Sequence, residues 1–411
     1  MILRRRKISP AIATKRHRAA PALERAAGTR TLPIDAIING SSIAPECPRW
    51  PVGASVQNDQ RRASRSVALS VGGAPDISLS WLPSLSYLSN YHFAHVDRTL
   101  SRPMRAVRST DGGVAVVDVA EPAGTGVLVD VAASGICGTD LGFVAMGPHD
   151  FTFGHEFAGF VEGVAYAVEP TVSCGGCVEC VAGHTQRCVG EHGNLGIFMD
   201  GGMADRVRVP YECLVELPPG LSVSDACLVE PAAVAWHGLR RADIEAGERI
   251  AVVGGGSIGL LAVAAAREMG HDVDLEVRHS HQRLAGEGLG AGVASGVYDV
   301  VIDGAGSESG LVRAAELARP GGRVIMLGVY HGVIPVPGVP TLVKELAWIG
   351  AMAYERHDGI REVDEVARML AARPQIAETV ITHRFPMSDA REAFRVAGDR
   401  SAGSIKVVLE P

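Results

Sequence analysis

The sequence predicts an α/β protein in which a β-rich part is followed by a doubly wound parallel sheet. A glycine-rich turn joins a strand to a helix after residue 249, and strands then alternate with helices to about residue 370. Composition agrees with this fold class. With 411 residues, 47% hydrophobic, 21% charged and 49 glycines, the chain has neither fibrous nor disordered character.

Charge and cysteine content restrict the classes of partner. Residues 1–103 carry a net charge of +9, and residues 104–411 carry −16. The acidic sign of the second part argues against nucleic acid or an anionic membrane as a partner. The longest apolar stretch, residues 250–266, is shorter than the roughly 20 residues that span a bilayer. Four of the eight cysteines are clustered and the others show no paired spacing, so we expect a cytoplasmic protein.

The first hundred residues show no helical or strand periodicity. We expect residues 1–103 to be a disordered or spuriously translated extension, with an accessory segment or an arginine-rich targeting peptide as the alternatives. A clearer pattern begins at Met104. The segments MRAVRST, GGVAVVDV and GVLVDVAASGIC each predict a strand.

Residues 174–188, CGGCVECVAGHTQRC, contain a cluster of cysteines with metal-ligand spacing. Its members are Cys174, Cys177, Cys180 and Cys188. Zn²⁺ favours four tetrahedral ligands, and four thiolates leave no position for water or substrate. We therefore predict a structural zinc site, while a redox-active cysteine pair or incidental cysteines are the alternatives.

Three further segments, SGICGTD, FGHEFAG and LVEPAAVAWHG, supply ligands for an open metal site. Cys137, His155 and either Glu156 or Glu230 give a thiolate, an imidazole and a carboxylate. Such a mixed set can hold Zn²⁺ and leave one position for a water or an alcohol oxygen. Spacing alone is weak evidence, because each of these residues is more often structural than a ligand.

Together these motifs resemble those of the zinc-dependent medium-chain alcohol dehydrogenases. GHEFAGFVEGVAYAV fits that family's zinc signature, including its glycine at Gly159, and the four-cysteine segment follows where the family carries its structural zinc. The resemblance covers about three quarters of the chain. It implies a GroES-like β-rich catalytic domain and a homo-oligomer, a dimer or a tetramer.

The resemblance also implies the roles of individual residues. Cys137 and His155 would be ligands of a catalytic zinc, Glu156 a ligand or a carboxylate next to one, and Glu230 the remaining, exchangeable ligand. Glutamate followed by proline at that position resembles the polyol, threonine and butanediol dehydrogenase branch. Thr139 matches the hydroxyl residue that relays the substrate proton. Asp140 would orient a ligand.

The stretch ERIAVVGGGSIGLLAVAAAREMG carries a dinucleotide fingerprint. A strand ending at Val253 leads into the loop, and a small-residue helix runs to Met269. The first glycine makes the turn, the second lets the backbone approach the pyrophosphate, and the third lets the helix pack on the strand. The expected cofactor contacts in this Rossmann loop are Gly254, Gly256, Ser257, Ile258 and Gly259.

The end of the following strand indicates which dinucleotide is bound. An acidic residue near this point would bind the ribose 2′-hydroxyl of NAD, whereas Arg278 and His279 stand there in LEVRHSHQR. A guanidinium suits a 2′-phosphate, so we favour NADP(H), although Glu276 could take the NAD role.

Three departures from the family pattern are visible. The run from Gly159 to the cysteines is short, so a strand is expected to be missing there. One βα unit is shortened in the stretch LGAGVASGVYDVV. Gly142 stands where many relatives carry histidine.

We therefore predict a GroES-like catalytic domain over residues 104–231, a Rossmann domain over 232–370 and a return to the catalytic domain over 371–411. The predicted activity is hydride transfer between a nicotinamide cofactor and a zinc-bound secondary alcohol, polyol or carbonyl, with one catalytic and one structural zinc. The alternatives are a non-catalytic member that binds zinc and dinucleotide, and a zinc-free enzyme of the quinone reductase type.

Overall fold

The computed structural model describes residues 103–330 and 333–411, and the expectation for residues 1–102 lies outside them. Two large sheets dominate the described residues, one mixed and one parallel. They confirm the predicted fold class, a β-rich part joined to a doubly wound parallel sheet. No helix in these ranges combines the length and apolar character that crossing a bilayer requires.

The mixed sheet contains seven strands in the order β18-β19-β3-β4-β5-β9, with β8 pairing alongside β3. Its strands are β3 (Val127–Gly135), β4 (Glu156–Val161), β5 (Val164–Val168), β8 (Arg206–Val209), β9 (Leu214–Glu216), β18 (Ile381–Pro386) and β19 (Lys406–Glu410). Pairing is antiparallel except between β18 and β19. Buried valine side chains from β3 and β8 and Phe157 of β4 pack together in one hydrophobic cluster.

Short elements flank this sheet. They are the hairpin β1 (Pro103–Thr110) and β2 (Gly113–Ala120), helix α1 (Gly138–Met146), the pair β6 (Thr171–Val172) and β7 (Gly193–Asn194), and helix α2 (Val178–Val181). The hairpin is held by the backbone N–H of Val107, which donates to the carbonyl of Met203. Phe153 packs beneath it and is completely buried.

The parallel sheet has six strands in the order β12-β11-β10-β13-β14-β15. They are β10 (Ile250–Val253), β11 (Val273–Glu276), β12 (Gly292–Val293), β13 (Tyr298–Asp303), β14 (Ala318–Met326) and β15 (Ala347–Gly350). The central strand β10 is buried along its length, as a strand covered by helices on both faces must be.

Helices pack around this sheet. They are α3 (Val229–Arg241), α4 (Ser257–Glu268), α5 (Ser280–Gly288), α6 (Glu308–Leu317), α7 (Gly338–Lys344), α8 (Glu362–Ala372) and α9 (Gln375–Val380), whereas α10 (Ala390–Gly398) packs against β2, β18 and β19. A small antiparallel pair, β16 (Arg356–His357) and β17 (Ile360–Arg361), lies between β15 and α8. Helix α4 is buried from Gly259 to Ala266, which its run of small residues permits.

The two segments that are shorter than in the family pattern form short connections between strands. Two residues, Glu162 and Gly163, turn β4 directly into β5. Strand β12 has two residues, and Ala294–Val297 alone joins it to β13 without a helix. Arg249 supports this short connection by donating to the carbonyls of Ser295 and Val297.

Candidate functional site

Cys137, His155 and Glu156 are brought together where β3 ends and β4 begins. Gly135 pairs with Glu156 across these antiparallel strands. Cys137 follows Gly135 by two residues and His155 precedes Glu156 by one, so both lie at the same end of the strand pair. One ligand atom from each of the three residues lies within 4.8 Å of the others. His155 and Glu156 are buried, and Nδ1 of His155 has no hydrogen-bond partner. A thiolate, an imidazole and a carboxylate at this spacing fit a zinc ion.

Asp140 supports this cluster from the first turn of α1. Its Oδ2 accepts a hydrogen bond of 2.8 Å from the backbone N–H of Cys137, and its Oδ1 lies 3.7 Å from Nδ1 of His155. Asp140 is fully buried, and this burial raises its pKa against the opposing effect of His155. The carboxylate thus fixes the backbone at one candidate ligand and faces the ring of another.

Lys406 forms a buried ion pair with Glu156 that the sequence analysis missed. Both side chains are 1% exposed, and the ammonium group donates to Oε2 of Glu156 and to the carbonyl of Ile136. Strand β19 carries Lys406 here because it pairs with β3. Burial alone would lower the pKa of Lys406, but the negative charges of Glu156 and Cys137 raise it. The only sequence signal was a lysine inside the apolar strand KVVLE.

The remaining predicted residues lie at the edge of this cluster. Oγ1 of Thr139 is 3.8 Å from the sulfur of Cys137. Glu230 lies in the first turn of α3 and is not part of the three-residue group. Burial lowers the pKa of His155, but the negative charges of Cys137, Asp140 and, to a smaller extent, Glu230 raise it. Burial raises the pKa of Glu230 to about 7, with His155 acting in the opposite direction. Two residues on from Asp140, Gly142 offers no imidazole to the site.

The four cysteines of residues 174–188 form a second candidate metal site. Their sulfur atoms all lie within 4.8 Å of one another, with 4.0 Å between Cys174 and Cys180 and 3.9 Å between Cys177 and Cys188. A zinc ion with four sulfurs at 2.3 Å has sulfur–sulfur edges of about 3.8 Å. Backbone hydrogen bonds from Cys180 and Val189 lower the pKa of Cys177 to about 6. The arrangement fits a closed tetrahedral site.

The glycine-rich loop has the geometry that a dinucleotide requires. Gly254 has a φ of +103°, and a Cβ on Gly259 would lie 1.9 Å from the carbonyl oxygen of Gly254. Only glycine therefore fits at these two positions. Space is open above Gly256, where a Cβ would meet no atom within 4 Å. Helix α4 begins at Ser257, so its free N–H groups face this space.

The residues predicted to select the dinucleotide follow β11. Arg278 is exposed and donates from Nη2 to Oγ of Ser309 at 2.7 Å, while His279 precedes the first turn of α5. Glu276, the alternative ribose ligand, is 3.1 Å from Nε of Arg313. A cation is thus available at the strand end, and the competing carboxylate is already paired.

Comparisons with a family model and with a solved structure both relate this chain to dehydrogenases. Residues 123–219 match the family model described as the alcohol dehydrogenase GroES-like domain. A solved structure described as a zinc-binding dehydrogenase from Sinorhizobium meliloti 1021, bound to NADP, is 31% identical. It aligns with a TM-score of 0.65 over 75% of this chain and 100% of its own.

Two curated relatives extend the comparison. A D-xylulose reductase A of Arthroderma otae is 29% identical over 313 residues, which are 65% of this chain and 85% of the relative. Galactitol 1-phosphate 5-dehydrogenase of Escherichia coli K12 is 27% identical over 344 residues, 74% of this chain and 99% of the relative.

Proposed function

The chain belongs to the zinc-containing alcohol dehydrogenase family of medium-chain dehydrogenases/reductases, and we propose that it oxidises a secondary alcohol or polyol with NADP⁺, or runs the reverse reaction. It is an NAD(P)-dependent oxidoreductase of the alcohol dehydrogenase type, close to the polyol dehydrogenase branch. The observation that carries the proposal is the group formed by Cys137, His155 and Glu156. Relatives named for xylulose and galactitol 1-phosphate favour a sugar-derived alcohol.

Each residue of the site has a task in this proposal. Cys137 and His155 would hold the catalytic zinc, with Glu156 or Glu230 as the carboxylate ligand. When bound, zinc polarises the oxygen of the substrate, and the nicotinamide ring exchanges hydride with the adjacent carbon. The hydroxyl of Thr139 would receive the proton of the alcohol and pass it on, since it lies beside Cys137. The second zinc would be held by the four cysteines of residues 174–188.

NADP(H) is favoured over NAD(H) by the charges after β11. Arg278 is exposed and would face the 2′-phosphate, and Glu276 is engaged by Arg313. The solved relative with NADP is in keeping with this choice. A cytoplasmic location is supported by the seven cysteines of the described residues, all of which are free thiols.

A homodimer or a higher homo-oligomer is also part of the proposal. Helix α7 presents Val339, Leu342 and Val343 to solvent, each more than 70% exposed, and β15 beside it is the edge strand of the parallel sheet. An apolar helix face next to an open sheet edge is the kind of surface that a second copy would cover. Light scattering should therefore report a mass above that of one chain.

The proposal is tested by zinc content and turnover of the full-length protein. We expect about two zinc ions per chain, falling to one in Cys137→Ser, with alcohol-dependent NADPH formation reduced about a thousandfold. Cys213→Ala removes a buried thiol that belongs to neither cluster and should leave both quantities unchanged. One zinc in both the wild type and Cys137→Ser would favour the non-catalytic binding protein, and no zinc would favour the quinone reductase type.

A further inference from the structure

The four-cysteine loop, residues 174–188, is hydrogen-bonded to Glu355 and Arg356 in the segment that follows β15. Oε2 of Glu355 lies 2.6 Å from Nδ1 of His184 and accepts a hydrogen bond of 3.1 Å from Nε2 of Gln186. In the sequence, both partners lie between Cys180 and Cys188, two of the four cysteines of the candidate metal site. These hydrogen bonds lower the pKa of Glu355 although burial opposes them, so the contact is charge-assisted.

The backbone makes the same connection. The N–H of Arg356 donates to the carbonyl of Gly183 at 2.9 Å. Gly183 has a φ of +91°, and a Cβ there would lie 2.7 Å from the carbonyl oxygen of Arg356. The loop and the segment therefore approach more closely than any residue with a side chain would allow.

From Glu355 the contacts continue to the helices behind the parallel sheet. Its backbone N–H donates to Oε2 of Glu362 at 2.8 Å, and this oxygen lies 3.0 Å from Nδ1 of His237. Arg240 contacts the other oxygen of Glu362 at 3.5 Å. Glu362 and His237 are buried, so neither can move without disturbing α3 and α8.

Beside these contacts an open cavity of about 430 Å³ lies at the carboxyl ends of β14 and β15. Its wall includes Gln186 from the cysteine loop, His237 from α3, and Gly328, Tyr330, Ala351 and Met352 from the strand ends. The glycine-rich loop after β10 lies at the same edge of this parallel sheet, and dinucleotides of doubly wound sheets bind outside the carboxyl ends of the strands. Glu355 does not line the cavity, but it accepts a hydrogen bond from Gln186 and donates its backbone N–H to Glu362, which lies beside His237.

We propose that Glu355 is a positioning residue that couples the four-cysteine metal site to this cavity, so that metal in the loop strengthens NADP(H) binding. A metal ion fixes Cys180 and Cys188 and thereby the residues between them, His184 and Gln186. Their contacts with Glu355 then hold the wall of the cavity in its binding geometry. This inference rests on the proposed function, since it requires both the metal and the dinucleotide.

Coupling between two sites is reciprocal, so the dinucleotide must also stabilise metal in the loop. The test follows the alkylation of the loop cysteines by mass spectrometry in the presence of a chelator, with and without saturating NADPH. In the wild type we expect NADPH to slow this reaction about fivefold. In Glu355→Ala the rate should be the same with and without NADPH, and Glu355→Gln should give an intermediate result.

Controls separate positioning from general destabilisation. Glu191→Gln changes an exposed carboxylate three residues after the loop that contacts neither His184 nor Gln186, and it should keep the full NADPH effect. His184→Ala should reduce the effect as Glu355→Ala does, and the double variant should lose no more than either single one. The KM for NADPH should rise about fivefold in Glu355→Ala while kcat stays within twofold.

An equal alkylation rate with and without NADPH in the wild type would overturn the coupling alone, provided that metal and NADPH both bind. Retention of the full NADPH effect in Glu355→Ala would overturn the role of Glu355. If the wild type binds no metal or no dinucleotide, the proposed function fails and the inference fails with it.

Discussion

The four-cysteine loop and the Cys137, His155 and Glu156 cluster differ in where their ligands come from. The loop takes all four from fifteen consecutive residues, and three of these cysteines are partly exposed. The cluster takes its residues from two separate segments, is mostly buried, and depends on β19 at the end of the chain for Lys406. The first site is therefore local, whereas the second exists only when the mixed sheet has formed.

This difference changes what holds each site together. A local site with four thiolates would gain its order from the metal, because the apolar side chains next to the cysteines, Val178, Val181 and Val189, are exposed rather than packed. The distributed site is held by the fold itself, since Lys406 pairs with Glu156 and Asp140 accepts a hydrogen bond from the backbone N–H of Cys137. Such charges are costly to bury, so each depends on its partner.

The largest expected effect is on the distributed site, in the variant Lys406→Met. Removing the ammonium leaves Glu156 as an unpaired buried carboxylate, so the free energy of unfolding should fall by about 3–5 kcal/mol. Urea denaturation monitored by circular dichroism measures this change. The double variant Lys406→Met with Glu156→Gln removes both charges and should recover at least half of the loss. A loss below 1 kcal/mol in Lys406→Met would mean that the ion pair does not support the fold.

Local sites could be predicted from the sequence because spacing alone contains their geometry. The cysteine spacing and the glycines of residues 254–259 predicted two compact arrangements that the structure contains. Secondary structure followed equally well where periodicity was strong, as for β10 and α4.

The distributed site could be predicted only in part. Residue chemistry offered Cys137, His155 and either Glu156 or Glu230 as possible ligands, but only the family resemblance assigned them to one catalytic site, because nothing in their spacing implies that β3 and β4 pair. Lys406 was missed because its partner lies 250 residues away, and only the pairing of β19 with β3 brings the two together. The link from His184 to Glu355 was missed for the same reason.

Glu169 lies buried between β5 and β6, at the base of the cysteine loop. Burial raises the pKa of Glu169 to about 7, although Arg361 acts to lower it. Between about pH 4.5 and 7 the folded protein therefore retains a proton that the unfolded chain has lost. Stability contributed by this protonated form is present at low pH and is lost as pH rises through 7.

Glu169→Gln removes this titration. Relative to that variant, the wild type should lose about 2 kcal/mol of unfolding free energy between pH 5 and pH 8, as measured by urea denaturation at several pH values. Glu191→Gln, a control at an exposed position just after the loop, should follow the wild-type curve throughout. Parallel curves for Glu169→Gln and the wild type would show that the base of the loop tolerates an ionised Glu169 and is more hydrated than its burial implies.

The smallest expected effect concerns Arg278, which belongs to a third site that was also predicted from sequence spacing. Arg278 was identified only by its offset from the glycine-rich loop, and it is exposed, with Ser309 as its hydrogen-bond partner. A charge-assisted hydrogen bond to a 2′-phosphate should contribute about tenfold in affinity, so Arg278→Ala should raise the Kd of NADPH about tenfold. The Kd of NADH should change less than twofold, because NADH has no phosphate there. Ser309→Ala keeps the charge and should weaken NADPH binding by no more than about threefold. Fluorescence titration of both dinucleotides measures these values, and an equal loss for NADPH and NADH would show that Arg278 supports the loop rather than reading the phosphate.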